Sequence, residues 1–458
     1  MHAQRMLQAF VGLLLTVSAC LAQQSAQEPK TFSFTPVDLD LLYKSNQLDE
    51  QFQEKGLVYN DLDTTKYIAK VGQSVLPGSP EFQSVHWQFF VLRDPTPNAF
   101  ALPNGSIYVH TGLLAVTENE AQLAGVLAHE ETHVMNRHGY FENRNYRKKA
   151  EAGMILAGAA SAGGIAGGIG AGASLAVQLA IPPILMASIN GYSRELEEEA
   201  DKRAVQALVE AGYSAVEMKN FFDVLQQDHE VDLSKKGFYQ DHPKLQDRSR
   251  YVGNLAASLK PRAASPEVDA DRYLIETESA VRHDADLEIR AGRPRTAMWV
   301  MERVVKRDDK LADNFYVLGE AYRGLGPRTP QPKPEELTDK GKDEARKMMS
   351  KMTPQEYEAA LLNAPGGRQA LESNQQQAEK NYARAVEISP DFPGPHRGLG
   401  FLYQQEQKPE QSVQEFKRYL ELAPSAIDSP QIKKRIEAME KGSANSTQLS
   451  EGSDRLKP

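Results

Sequence analysis

The run His129-Glu130-Glu131-Thr132-His133 sets two imidazoles four positions apart with an acid directly after the first. On a helix, four residues turn the chain by about 400°, so both rings leave the same face one turn apart. Two imidazoles so placed can share a zinc ion at about 2.0–2.1 Å. Glu130, beside them, is suited to take a proton from water held by that ion. Hydrolysis of this kind needs a third protein ligand and an open fourth position. An H-x-x-G-x-x-H continuation is missing, because Asn136 and Gly139 stand where its Gly and His would be. His138 comes five residues after His133, about 140° further round a continuing helix, and is read as a supporting residue rather than a ligand. Two acids further on compete for the third place. Glu197 and Asp201 are spaced i and i+4 in Ser193-Arg194-Glu195-Leu196-Glu197-Glu198-Glu199-Ala200-Asp201 and share one helix face. The plainer reading of that stretch is an acidic helix start favoured by the macrodipole; the paired histidines upstream turn the balance toward metal chemistry.

These groups need two helices and a support. Leu123, Val126, Leu127 and Val134 recur at helical spacing around the histidines, and Thr117 with Glu120 reads as a capping box at the start. A second helix is expected from Ser193 to about Ala211. Val85–Arg93 is rich in aromatic and β-branched residues and reads as a strand, Asp94–Asn98 as a turn, and Ser106–His110 as a second short strand stopped by Thr111-Gly112. The segment from Asp94 to Gly105 is long enough to reverse the chain, so both strands fit one small sheet. An exposed edge at Ser106–His110 would let an extended peptide pair with it.

The stretches HEETHVMNRH, YSRELEEEAD and Asp241-His242-Pro243 together resemble the gluzincin metallopeptidases that include the CAAX prenyl proteases and the bacterial heat-shock protease HtpX. Asn98-Ala99-Phe100-Ala101-Leu102-Pro103-Asn104-Gly105 followed by Thr111-Gly112-Leu113-Leu114 is similar to a further segment of that family. The resemblance covers about residues 60–255. It implies one Zn2+ per chain held by His129, His133 and Glu197, with Glu130 as general base. It also implies Asp201 as an acid close to the metal, either supporting a ligand or donating a proton. His242 falls where the family carries a His-Pro pair near its site. It reads either as an oxyanion donor or reversible fourth ligand, or as a helix-entry histidine held by Pro243 and Arg248. Asp241 and Asn104 depart from the family pattern without touching a ligand.

The rest of the chain organises around this block. Hydrophobic residues make up 40% and charged residues 25%, which excludes collagen, a coiled-coil rod and wholesale disorder. A net charge of −9 argues against a nucleic-acid partner held by bulk electrostatics, and mean hydropathy of −0.52 against a polytopic membrane protein. Residues 1–22 have the layout of a signal peptide: Arg5, an apolar run from Met6 to Leu15, then small residues. Val17-Ser18-Ala19-Cys20 reads as a lipobox that would leave Cys20 lipidated; cleavage after Ala22 would discard it. Either route leaves no free thiol, which suits an oxidising compartment. Residues 23–60 are polar with an amphipathic stretch around Leu41, Leu42 and Leu48, and 61–260 hold the metallopeptidase block. Within it, 152–189 is Gly/Ala-rich and then apolar; it reads as a helix pair covering the cleft and touching lipid or an unfolded client, with a membrane hairpin as the competing reading. In 261–440, Tyr382…Ala385…Ile388-Ser389-Pro390 matches Phe416…Tyr419…Leu422-Ala423-Pro424 at a spacing of 34, the tetratricopeptide period. Val317–Tyr322 is echoed 81 residues later at Gly398–Tyr403, and an insertion, 327–375, separates the two. Residues 441–458 have nothing to bury and are expected to be disordered.

The expected fold is therefore α+β and mainly α: a zinc-protease core with a small sheet, followed by an α-solenoid. The plan of signal, gluzincin core and tetratricopeptide tail resembles the periplasmic beta-barrel assembly-enhancing proteases. That resemblance implies an exported enzyme whose repeats engage misassembled envelope proteins or outer-membrane assembly machinery, with peripheral membrane contact. A mainly non-proteolytic assembly factor with a gated zinc site is the alternative; an intact Glu130 favours the protease.

Overall fold

The computed structural model describes residues 32–78, 85–156, 192–226, 245–331 and 351–453, together with Leu185, Ile189, Gly341, Glu344, Lys347 and Met348. The signal-peptide and Cys20 readings, His242 and most of 152–189 lie outside the described residues. Two compact units are distinguished, residues 1–40 and 41–458. In the first, the Phe32 and Phe34 rings meet edge-on at 5.1 Å, and Thr35 caps the start of a helix: its N–H and hydroxyl both donate to Asp38 Oδ2 at 2.7 Å. That helix, α1 (Pro36–Glu54), opens on a proline at the position where its missing N–H costs nothing.

In the second unit, Leu41, Leu48 and Phe52 are the buried stripe of α1. Helix α2 (Leu62–Val75) starts on Asp61, whose carboxylate accepts from the Asp63 and Thr64 N–H groups. Three strands follow: β1 (Gln88–Leu92), β2 (Ala99–Ala101) and β3 (Ser106–His110). Their order is β1-β3-β2, with β1 parallel and β2 antiparallel to β3. Tyr108 of β3 stacks on Phe90 at 5.0 Å and on Phe100 at 5.1 Å, an aromatic ladder across all three strands that fixes the register. Its hydroxyl, the Ser106 hydroxyl and the Asn104 amide all donate to Asp49 of α1.

Two expectations change here. The two strands read from sequence do share a sheet, but the chain reverses twice between them, once before and once after β2, so that β1 and β3 run parallel. β3 is the middle strand and fully buried, so it offers no edge to a peptide; β2 is the edge on that side.

Helices α3 (Thr111–Val116), α4 (Glu120–Met135), α5 (His138–Leu156), α6 (Arg194–Ala211), α7 (Val216–Leu225) and α8 (Leu245–Ser258) complete the block. The expected division at residue 260 is not a break in the core. One apolar cluster runs from Tyr67 to Leu402, taking in Tyr273, Val281 and Ala285 of α9 (Ala270–Arg290) and Met301 and Val304 of α10 (Pro294–Arg307). Polar contacts reinforce the join. Tyr273 donates to the Leu114 carbonyl at 2.6 Å, Thr111 to Asp284 at 3.0 Å, and Arg303 to the Ala115 and Thr117 carbonyls at 3.1 and 2.8 Å.

The remaining helices are α11 (Ala312–Leu325), α12 (Pro354–Asn363), α13 (Gly367–Ile388), α14 (Pro393–Gln405), α15 (Pro409–Leu422) and α16 (Ser429–Ser453). The sequence repeat has a packing cause. A Cβ on Gly319 of α11 would come within 2.7 Å of the Tyr382 ring of α13, and one on Gly400 of α14 within 2.4 Å of the Phe416 ring of α15. Each pair therefore lays an aromatic of its second helix on a glycine of its first, an arrangement compatible with a solenoid. α13 begins inside the predicted insertion, and Asn374 donates to the Gly326 and Arg328 carbonyls at 2.8 Å, tying α13 to the chain that follows α11. α16 continues to Ser453, into the segment whose composition predicts disorder; a helix needs no buried face to hold its own backbone hydrogen bonds. Among the described residues no helix is long and apolar enough to cross a membrane.

Candidate metal centre

α4 is buried on every side, from Glu120 to Met135. Its cap is Asn119, whose Oδ1 accepts from the Gln122 N–H at 2.9 Å, rather than the Thr117–Glu120 box read from sequence. Thr117 instead donates to the Leu113 carbonyl as part of the preceding helix. Glu120 is thereby released for another purpose. Its carboxylate accepts from Tyr67 at 2.7 Å, Tyr213 at 2.6 Å and the fork of Arg272. Burial alone would raise this carboxyl; the hydrogen bonds from Arg272, Tyr213 and Tyr67 outweigh burial and hold it below its ordinary value.

α6 lies across α4 and brings Glu197 to the two histidines. His129 Nε2 and His133 Nε2 are 3.1 Å apart, Glu197 Oε2 is 3.3 Å from the first and Glu197 Oε1 3.7 Å from the second. Donors about 2.0–2.1 Å from one tetrahedral ion stand about 3.3–3.4 Å from each other, so the three side chains already have the spacing of a metal cage. Burial would strip His129 of its proton, yet the Asp201 and Glu197 carboxylates push it up to about 10. Two imidazoles and a carboxylate, with a second carboxylate behind His129, are a donor set that fits a divalent cation, which would replace that proton.

Asp201 sits behind His129, its Oδ1 2.9 Å from Nδ1. It is held in turn by Arg248, through Nη2 at 2.7 Å and Nε at 2.9 Å, and by the Tyr251 hydroxyl. Burial would raise Asp201; Arg248 and His129 keep it far below the usual carboxylate range. Arg248 also lies 3.7 Å from Glu197. Glu197 Oε1 accepts from the Tyr192 N–H at 3.0 Å, and the Tyr192 ring stacks on His133 at 4.3 Å. Glu130 is buried beside the histidines and accepts from the Ala101 N–H of β2; burial pushes it up to about 8. Glu131 faces the other way, toward Gly72 and Phe89, and among the described residues neither of its oxygens has a partner. Burial alone raises its carboxyl well above the ordinary value.

The structure thus gathers His129, His133, Glu197, Glu130 and Asp201 at one point. His138 joins them: its Nδ1 is 2.8 Å from His133 Nδ1, and burial lowers it to about 4, leaving a neutral ring. Arg248, Tyr251 and Tyr192 carry as much of the geometry but gave no spacing signal: a lone arginine or tyrosine on an amphipathic helix such as α8 reads as surface, and Tyr192 lies in the chain just before α6.

The match to known proteins covers the same block. Residues 63–255 match the model of peptidase family M48. The mitochondrial metalloendopeptidase OMA1 of Schizosaccharomyces pombe is 26% identical over 47% of this chain and 61% of its own length. The beta-barrel assembly-enhancing protease of Escherichia coli K12 is 24% identical over 48% of this chain and 44% of its own. A Vibrio cholerae relative, whose name assigns it the same role provisionally, is 27% identical over 51% and 47%. The chain spans about half the length of these relatives.

Proposed function

Residues 63–255 being a peptidase family M48 domain, we propose that the chain is an exported zinc endopeptidase that cleaves misfolded or assembling envelope proteins. The observation that carries the reading is the convergence of two Nε2 atoms and one carboxylate at metal-cage spacing, with Glu130 beside them. Zinc, when bound, supplies a Lewis acid that polarises the scissile carbonyl and acidifies water. His129, His133 and Glu197 are its holders. Glu130 takes the proton of the attacking water and passes it to the leaving amine. Asp201 is fully engaged as an ionised acceptor for His129, Arg248 and Tyr251, which favours positioning over proton donation. β2 is the edge strand beside Glu130, which takes its Ala101 N–H; an extended substrate would pair along that edge by displacing this contact.

The glycine-backed helix pairs are read as tetratricopeptide repeats that hold the client or the outer-membrane assembly machinery, a reading in keeping with bacterial relatives named as beta-barrel assembly-enhancing proteases. The N-terminal 1–22 supports a periplasmic location, with Cys20 either lipidated or removed. The test is metal analysis of the purified chain beside a casein-degradation assay. Stoichiometric zinc with chelator-sensitive cleavage is expected; a zinc-free chain, or cleavage untouched by chelation, overturns the reading.

A further inference from the structure

We infer that His138 is a positioning residue of the metal centre, fixing the ring of His133 through an imidazole–imidazole hydrogen bond, with the Glu199 carboxylate 3.8 Å from its far nitrogen. The inference rests on the zinc reading above and deepens it.

A histidine that offers Nε2 to a metal keeps its proton on Nδ1 and donates it to a fixed partner, usually a carboxylate, a carbonyl or water. His129 follows that rule with Asp201 at 2.9 Å. The Nδ1 of His133 instead meets the Nδ1 of His138 at 2.8 Å. Only one proton fits between two nitrogens so close. With His133 donating, His138 accepts at Nδ1 and carries its own proton on Nε2. That Nε2 faces Glu199 Oε2 at 3.8 Å, and Glu199 Oε1 is held by the Asn136 amide at 2.6 Å.

The backbone is bent to make this contact. Were α4 to continue, His138 would lie about 140° away from His133. Arg137 breaks the helix with φ at +58°, a left-handed conformation that costs a non-glycine residue about 1 kcal/mol or more and persists where the surroundings hold it. α5 then starts at His138, with its ring returned onto His133. Tyr192 covers the face of His133 at an interplanar angle of 18°, so stacking fixes the ring plane and the hydrogen bond its rotation within that plane. The two ligands are supported unequally: His129 by an anion, which strengthens it as a donor, and His133 by a neutral ring.

The test is zinc affinity of the full chain, measured by competition with a chromogenic chelator, with far-UV circular dichroism as the folding control. His138→Leu keeps the volume but removes the acceptor and should weaken zinc by about 10- to 100-fold. His138→Asn puts a carbonyl oxygen near the lost Nδ1 and should stay within about threefold of the wild type. Equal affinity for wild type and His138→Leu, or equal weakening by Leu and Asn, overturns the inference. If His138→Leu fails to fold, the 15N shifts of the wild-type ring decide. A proton on His138 Nε2 is expected in the zinc-loaded chain, and one on Nδ1 overturns it. A wild type that binds no zinc refutes the parent reading instead, before any variant is made.

Discussion

Exchanging Asp201 for Asn should cost the protein about 3–5 kcal/mol of folding stability even with no metal present. The carboxylate is fully buried and takes two donors on each oxygen: His129 and Arg248 Nη2 on Oδ1, Arg248 Nε and Tyr251 on Oδ2. An amide has one acceptor end. Whichever way it is turned, its NH2 faces two donors, so two hydrogen bonds vanish and Arg248 loses its bidentate anion. Two charge-assisted bonds at about 1.5–3 kcal/mol each give about 3–6; breaking a buried ion pair by removing one partner gives about 3–5. Both figures describe the same loss and are not summed. The assay is urea unfolding in excess chelator, followed by the fluorescence of Trp87 and Trp299. Tyr251→Phe, which removes one donor and leaves the ion pair, is the companion and should lose about 1–3 kcal/mol. A loss below about 1 kcal/mol for Asp201→Asn would show that Arg248 and His129 find other partners, and the account of Asp201 as the keystone behind the cage would fall.

Glu130→Gln should keep zinc and lose casein cleavage by about 10²-fold or more; unchanged turnover would move the base elsewhere. His133→Ala and Glu197→Ala should each strip the metal while circular dichroism stays helical, and full zinc in either would remove that residue from the cage. Because the folded Glu120 carboxyl is held below its unfolded value of about 4.3, its stabilisation is complete above that pH and is lost as the pH falls toward the lowered value. Glu120→Gln should therefore flatten the acid limb of the stability–pH curve, modestly because Arg272 is 43% exposed, and an unchanged limb would contradict the clamp. Glu131→Met should stabilise by about 1–3 kcal/mol, since it removes a buried carboxyl with no partner; destabilisation in urea titrations would mean that the site cannot take the thioether.

What the sequence made legible follows from range. The histidine pair is set by helix period, which acts over four residues and can be read directly; the same period only puts Glu197 and Asp201 on one face, and the choice of Glu197 comes from the family resemblance. β3 was delimited to the residue because Ser106–His110 lies between a turn and a Thr-Gly break. β2 escaped because three residues cannot display an alternation. The cap was misplaced by two residues because Thr117 satisfies its hydroxyl backward, on Leu113, and that choice depends on a helix the pattern did not reveal. His138 reads as a supporting residue, but its contact with His133 is not legible, because one left-handed residue, Arg137, undoes the helical arithmetic. Arg248 and Tyr251 reach Asp201 from about 50 residues downstream, and no local rule encodes that meeting.

The clamp on Glu120 also sets a schedule. Its carboxylate stands at the head of the histidine-bearing helix, while the guanidinium that grips it is 152 residues further along. A chain emerging from its N-terminus presents the whole His129-to-Glu197 set long before Arg272, Tyr273 and Arg303 arrive to close the same core. Loop closure over that span is entropically unfavourable until the late residues contribute their contacts. Closure of this core is therefore tied to the presence of α9 and α10, and a chain cut near residue 260 would keep His129, His133 and Glu197 but lose the grip of Arg272, Tyr273 and Arg303 on Glu120 and on the Leu114, Ala115 and Thr117 carbonyls.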